Sequence, residues 1–443
     1  MQIKLSDHFT YGKLLRFTLP SITMMIFSSF YSIVDGLFVS NMIGENALSA
    51  VNIMFPVAMI IGAVGFMLGS GGSAIVARTM GEGRQELANR YFSMIILCVL
   101  TLGVALSGLS VLFVGPLARL VGASDLLMDD CLAYGTVIFG GSFVFMLQMS
   151  FQTFFVTAEL PKIGLAFSLV SGVANITLDY LFMGPMNMGI AGAAWGTVLS
   201  YAVGGVLPLF FFLRPPMGAL RLCPTKLYWR ELKNACVNGS SELMSNLSAS
   251  LISILYNLQL MRMVGELGVA AYSVMMYVDF AFAAVFLGFS MGSGPIVSFH
   301  YGAGNEEELK SIFRKSLTII AISSVAMVVL AQLLGRPLAM AYVGYNPELL
   351  ELTVHGFRIF ALSYLFCGTG VYGSGFFTAL CNGAVSALIS FLRLFLFRGG
   401  MVILLPLFLK LDGIWLAVVV ADGLGAAAAA WLMWRYRTRY HYL

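Results

Sequence analysis

Apolar residues run along this 443-residue chain in long blocks separated by short polar stretches. The blocks fall at 14–40, 47–77, 91–114, 126–156, 161–184, 189–213, 232–262, 267–297, 311–334, 348–378, 383–409 and 413–435. Each is long enough to cross a hydrocarbon layer of about 30 Å as a helix, which takes about 20 residues. Most connections are short, as between antiparallel neighbours in a bundle. The longest, near 214–231, follows Arg214-Pro215-Pro216 and is the natural boundary between halves. The pattern predicts an all-α integral membrane protein of about twelve transmembrane helices. Residues 1–220 would form an N-lobe of helices 1–6, and residues 221–443 a C-lobe of helices 7–12.

The chain also aligns on itself without a gap when shifted by 221 positions. Gly44 then falls on Gly265, Gly71 on Gly292, Gly81-x-Gly83 on Gly302-x-Gly304, and Pro116-Leu117-Ala118 on Pro337-Leu338-Ala339. Six helices per half is an even number, so both halves insert the same way up. Parallel repeats of this kind are related by a pseudo-two-fold along the membrane normal, with the site between them near the midplane.

Composition and charge agree. Hydrophobic residues make up 59% of the chain and charged residues only 10%, against roughly 25% charged in soluble domains. The net charge of +4 does not suggest a nucleic-acid partner. The cations are a topology signal instead: Lys4, Lys13, Arg78, Arg84, Lys162, Lys226, Lys310, Arg435 and others lie on one side, while Arg119, Arg262, Arg336 and Lys410 lie on the other. By the positive-inside rule the first side is cytoplasmic, and so are both termini. The six cysteines form no C-x-x-C pair and read as buried or cytosolic thiols. The first apolar run leads straight into further spans, so it is expected to be a helix and not a cleaved signal. No nucleophile set, metal cluster or nucleotide motif is found, so no enzyme, no cofactor and no ATPase subunit is expected. Gly69-Ser70-Gly71-Gly72-Ser73 lacks the ending of a phosphate loop and reads as small residues for close helix packing.

The repeat leaves some polar residues uncopied. Asp35 in the first helix is opposite Tyr256; Asn175 and Asp179 in the fifth are opposite Leu396 and Gly400; Thr197 in the sixth is opposite Val418. Asn175 and Asp179 share a helix face. A carboxylate at membrane depth is costly and usually faces a cavity, a partner or an ion. Two carboxylates, an amide and a hydroxyl offer hard oxygen ligands and proton sites, which suit Na⁺ or H⁺. The plainer alternative is that they bond one another and glue helices. Tyr31, Gln148 and Gln152 are candidate cavity residues, with interhelical hydrogen bonding an equal alternative. In the second half, Glu242, Asn246, Asn257, Asp279, Arg393, Arg398 and Asp422 are polar, and the arginines are expected to snorkel or to pair with acids such as Asp422.

The run Leu19-Pro20, Tyr31-Ser32-Ile33-Val34-Asp35-Gly36-Leu37-Phe38-Val39 and Gly44-Glu45-Asn46-Ala47-Leu48-Ser49-Ala50 resembles the first-helix region of the multidrug and toxic compound extrusion (MATE) family. Gly71-Gly72 with Arg78-x-x-Gly81-x-Gly83, Asn175-Ile176-Thr177-Leu178-Asp179 and Gly189-Ile190-Ala191-Gly192-Ala193-Ala194 extend the resemblance along nearly the whole chain. It implies a cation-coupled antiporter that exports amphipathic, often cationic compounds by rocker-switch alternating access, from a bacterial or archaeal cytoplasmic membrane, as a monomer. In the prokaryotic branch with an N-lobe cation site, the matching positions are Asp35, Asn175, Asp179 and Thr197, and Tyr31, Gln148 and Gln152 match its drug cavity. Ala249 stands where another branch has a seventh-helix glutamate, so no second-half cation site is expected. A lipid-linked precursor flippase of the same superfamily would more often carry extra helices and a basic cavity. A non-transporting receptor would need a sensing domain outside the membrane.

Overall fold

The computed structural model describes residues 3–214, 218–344 and 346–443, with the backbone alone at 31–33, 37, 40, 41 and 45. Nearly all described residues are helical and none is in a strand. The first half comprises α1 (Tyr11–Met42), α2 (Glu45–Gly81), α3 (Gln85–Leu112), α4 (Val114–Leu120), α5 (Met128–Gly140), α6 (Ser142–Thr157), α7 (Pro161–Met183) and α8 (Gly189–Leu213). The second half follows with α9 (Trp229–Met263), α10 (Glu266–Gly302), α11 (Glu306–Val343), α12 (Pro347–Phe360), α13 (Tyr364–Ala379), α14 (Gly383–Ser390) and α15 (Arg398–Tyr440).

Nine described helical stretches are long and apolar enough to span a bilayer, and the pair α5 and α6, bent by 50°, makes a tenth. The stretch Gly383–Tyr440 is 58 residues long, far beyond one crossing. It breaks at Lys410 (φ 51°, ψ −129°) into two spans. Helix α9 is the polar exception among the long helices and completes twelve. The pattern of apolar blocks thus marks every span but not the interruptions: the bend at Gly141, the 3₁₀ turn Ala361–Ser363 and the π-helical turn Phe391–Phe397.

Local chemistry sets the helix ends. The side chains of Thr10, Asn305 and Asn346 accept from the backbone N–H groups of Lys13, Glu308 and Leu349, and Pro161 and Pro347 occupy first-turn positions where no amide donor is needed. The repeated glycines have a specific reason. Gly44 and its repeat partner Gly265 have φ of 128° and 77°, and Gly83 and Gly304 have φ of 78° and 66°. Those left-handed turns favour glycine.

The two six-helix lobes meet through a pseudo-symmetric interface. Gly71 of α2 packs against the backbone of Ala235 and Gly239 in α9, while Gly292 of α10 packs on Thr18 of α1. Likewise Gly81 lies against Phe299, and Gly302 against Arg78. The repeat shift exchanges the members of each pair, so the two-fold is written into the contacts. A methyl at Gly71, Gly81, Gly239 or Gly302 would overlap the facing backbone. These contacts cluster towards the basic end, where Asn238 Nδ2 also donates to Gly71 O (3.3 Å) and Arg78 lies over the Tyr301 ring.

At the same end, residues 3–10 strap the halves together. Leu5 N donates to Glu159 Oε1 in the first half (2.7 Å). Phe9 N donates to Glu308 Oε1 in the second (2.8 Å), and His8 Nδ1 pairs with Glu308 Oε2 (2.6 Å). Leu5 and Phe9 are buried.

Candidate functional site

Helix α7 begins at Pro161 and presents Gly164, Ser168, Ser171, Asn175, Asp179 and Met183 to the interior at helical spacing, so its amide and carboxylate are carried inwards on the packed face. Asp179 is fully buried and Asn175 nearly so. Across from α7, Gly196 of α8 leaves the space that Asp179 Oδ1 occupies; a methyl there would overlap that oxygen. Thr197, next along, is buried and its hydroxyl donates to Ala193 O (3.0 Å), leaving its lone pairs free.

Asp35 of α1 completes the group. Its carboxyl and that of Asp179 lie within electrostatic reach of each other. Yet Asp35 Oδ1, both Asp179 oxygens and Asn175 Oδ1 are buried with no protein donor. Buried acceptors without donors are expensive. A lone carboxylate near the centre of a bilayer costs roughly 3 kcal/mol, and two unit charges about 4 Å apart at an effective dielectric of 20 repel by about 4 kcal/mol. Such a set of acceptors can chemically take up positive charge, as a proton or as a small cation bound by oxygen ligands. Among the described residues, no group of three or more His, Cys, Asp or Glu side chains could hold a metal.

Sequence reasoning missed Tyr134. This buried tyrosine of α5 lies in the electrostatic neighbourhood of both Asp35 and Asp179. One helical turn earlier on α5, Asp130 joins Ile43, Gly44, Asn46 and Ala47 around a cavity of about 480 Å³. The signal for Tyr134 was weak, since an aromatic residue in an apolar span reads as packing.

The cavity candidates behave differently. The Tyr31 side chain lies outside the described residues. Gln148 and Gln152 of α6 are both buried. Gln148 Nε2 donates to Ser171 Oγ of α7 (3.4 Å), its Oε1 has no partner, and Gly204 of α8 makes room for its amide. Ser171 in turn donates to Ser200 O (2.6 Å). Gln148 thus ties three helices of the first half together.

In the second half, Arg398 forms a forked ion pair with the buried Asp422: Nη2 lies 3.1 Å from Oδ1 and 2.9 Å from Oδ2, and Nε 3.3 Å from Oδ1. Arg393 forms no such pair; its Nη1 lies 3.7 Å from Cys367 Sγ and its Nε has no partner.

Comparison with known proteins places this geometry. The multidrug export protein MepA of Staphylococcus saprophyticus is 23% identical over 441 residues, covering 96% of this chain and 94% of its own. A FAD transporter of Shewanella oneidensis is 26% identical over 352 residues, covering 76% and 75%. A solved outward-facing conformation of a multidrug resistance MATE family transporter of the MOP superfamily superposes with a TM-score of 0.91 at 21% identity, covering 97% of both chains. The MatE family model matches twice, over residues 20–181 and 243–404, once in each half. With a model of that family spanning most of both halves, the chain belongs to the MatE family of multidrug and toxic compound extrusion transporters.

Proposed function

We propose that this protein is a cation-coupled antiporter, driven by H⁺ or Na⁺, that exports amphipathic and often cationic compounds by alternating access. The observation that carries the reading is a pair of neighbouring carboxyls, Asp35 and Asp179, in which Asp35 Oδ1 and both Asp179 oxygens are buried with no donor from the protein. Asp35, Asn175, Asp179 and Thr197 take the coupling ion, and Tyr31, Gln148 and Gln152 belong to the lobe that receives the drug. Lobes closed at the basic end correspond to an outward-facing carrier if that end is cytoplasmic. In this state the ion arrives from outside, removes one of the two like charges, shifts α1 and weakens drug binding; the lobes then rock and the ion leaves inwards. A membrane potential contributes about 2.3 kcal/mol per net charge moved per 100 mV, enough for more than tenfold concentration of a neutral compound by one ion.

The test is dye efflux from proteoliposomes under an imposed Na⁺ or pH gradient. Wild type responds to one gradient, and Asp35→Asn and Asp179→Asn lose the response. Undiminished coupled efflux in both variants would overturn the ion site. The FAD transporter among the relatives supports a second reading, a flavin nucleotide as substrate, and gradient-driven movement of FAD in the same vesicles would favour it.

A further inference from the structure

The two lobes solve the same electrostatic problem in different ways, and the π-helical turn is what makes the comparison visible. In α7 the buried face runs through Asn175, Asp179 and Met183. In the eleventh span the uncorrected repeat would set Leu396 and Gly400 opposite Asn175 and Asp179, yet Leu396 is about half exposed. The buried residues directly beyond Phe391–Phe397 are instead Gly399, Val402 and Pro406. Val402 and Pro406 stand two positions further along than the repeat shift predicts.

A second contact gives the same register. Gly192 packs against Phe182, and its repeat partner Gly413 packs against Leu405, again two positions further along. The wide turn takes up the added residues, and the short connection at Lys410 gives them back before the twelfth span. In this register Arg398 takes the place of Asn175, and Val402 that of Asp179. Tyr256, the partner of Asp35, lies in the electrostatic neighbourhood of Arg398, Asp422 and Asp279.

The C-lobe counterpart of the candidate ion site therefore contains a guanidinium, forked onto Asp422 and facing Asp279, with Tyr364 beside Asp279 and Arg393 and Glu242 further along the same interior. The N-lobe pair, by contrast, has no lysine or arginine among the described groups acting on it. We infer that Arg398 is a tethered cation: it fills, permanently and from the chain itself, the place where the N-lobe takes an exchangeable ion, so that cation coupling is confined to one lobe. Guanidinium stays protonated at every physiological pH and matches a carboxylate with two parallel donors. An ion from solution has to displace a partner that cannot diffuse away. This inference rests on the proposed function and specifies which lobe is coupled.

The experiment counts cations taken up by the full chain in proteoliposomes or detergent, as bound ²²Na⁺ and as protons consumed in a pH-stat titration. Removing Arg398 strands Asp422 in the interior, where an unpaired charge is strongly disfavoured. Arg398→Gln is expected to take up one cation equivalent more than wild type, as Na⁺ or as a proton. Arg398→Gln/Asp422→Asn, which removes both charges, returns to the wild-type count, and Arg398→Lys keeps it. In Asp35→Asn/Asp179→Asn, saturable uptake disappears while Arg398 is present. No extra equivalent in folded Arg398→Gln overturns the inference, as does saturable uptake in Asp35→Asn/Asp179→Asn that is lost when Asp422→Asn is added. Should Arg398→Gln not fold, Asp422→Asn alone decides: it leaves the wild-type count unchanged if Arg398 is a tethered cation and lowers it if Asp422 binds exchangeable ions. Failure of the proposed function looks different, since wild-type efflux would then ignore both gradients.

Discussion

Gly196→Ala is the sharpest single perturbation of the candidate ion site, because it touches the site without removing a ligand. Glycine at 196 leaves room for Asp179 Oδ1, and a methyl at that position would lie about an ångström or more inside ordinary van der Waals contact. The helix backbone of α8 is fixed by packing on α6 and α7, so the carboxyl must yield. Turning Asp179 about 30° off its rotamer costs roughly 0.5–1.5 kcal/mol, and the rotation displaces Oδ1 from its present place beside Gly196. Losing that alignment is expected to raise the half-saturating Na⁺ or H⁺ concentration about tenfold, the equivalent of about 1.4 kcal/mol. Alanine is also a better helix former than glycine by roughly 1 kcal/mol, so the thermal midpoint of the purified protein should move little. The diagnostic is therefore weakened ion dependence at nearly constant stability. Efflux measured against ion concentration gives the first quantity, and thermal unfolding in detergent the second. An unchanged half-saturation in a variant of unchanged stability would refute the placement of Asp179 in the ion site.

Tyr134→Phe should raise the half-saturating ion concentration by about three- to tenfold, at the scale of one hydrogen bond to a charged group, and unaltered ion dependence would reduce Tyr134 to packing. Gly239→Val sets a branched side chain against the Met67 carbonyl and the Gly71 amide; it should hold the basic end open and increase thiol labelling of Cys236, measured by maleimide gel shift. Glu308→Ala removes the acceptor for Phe9 N and the partner of His8. It should cost roughly 1–3 kcal/mol, read as a lower thermal midpoint, and expose residues 3–10 to limited proteolysis.

The span pattern, the duplication and the family were legible in the sequence, because a bilayer demands about 20 apolar residues per crossing and leaves long, unmistakable blocks. The glycines matched by the repeat were legible too, and the structure supplies their reason in left-handed turns and in backbone contacts between lobes. Asp35, Asn175, Asp179 and Thr197 stood out because polar groups are rare at membrane depth.

Other features depended on packing in three dimensions. Tyr134 reads as one more apolar aromatic until α5 folds against α2, α3 and α8. The strap of residues 3–10 is too short and too polar to signal anything before its partners on both halves are in place. The π-helical turn has no composition of its own, so an ungapped repeat aligned Leu396 and Gly400 with the candidate ion-site positions Asn175 and Asp179 and hid the correspondence between Arg398 and Asn175. A sequence specifies which residues can pay the cost of entering the membrane; which of them face one another is decided only when helices far apart in the chain close around a shared interior.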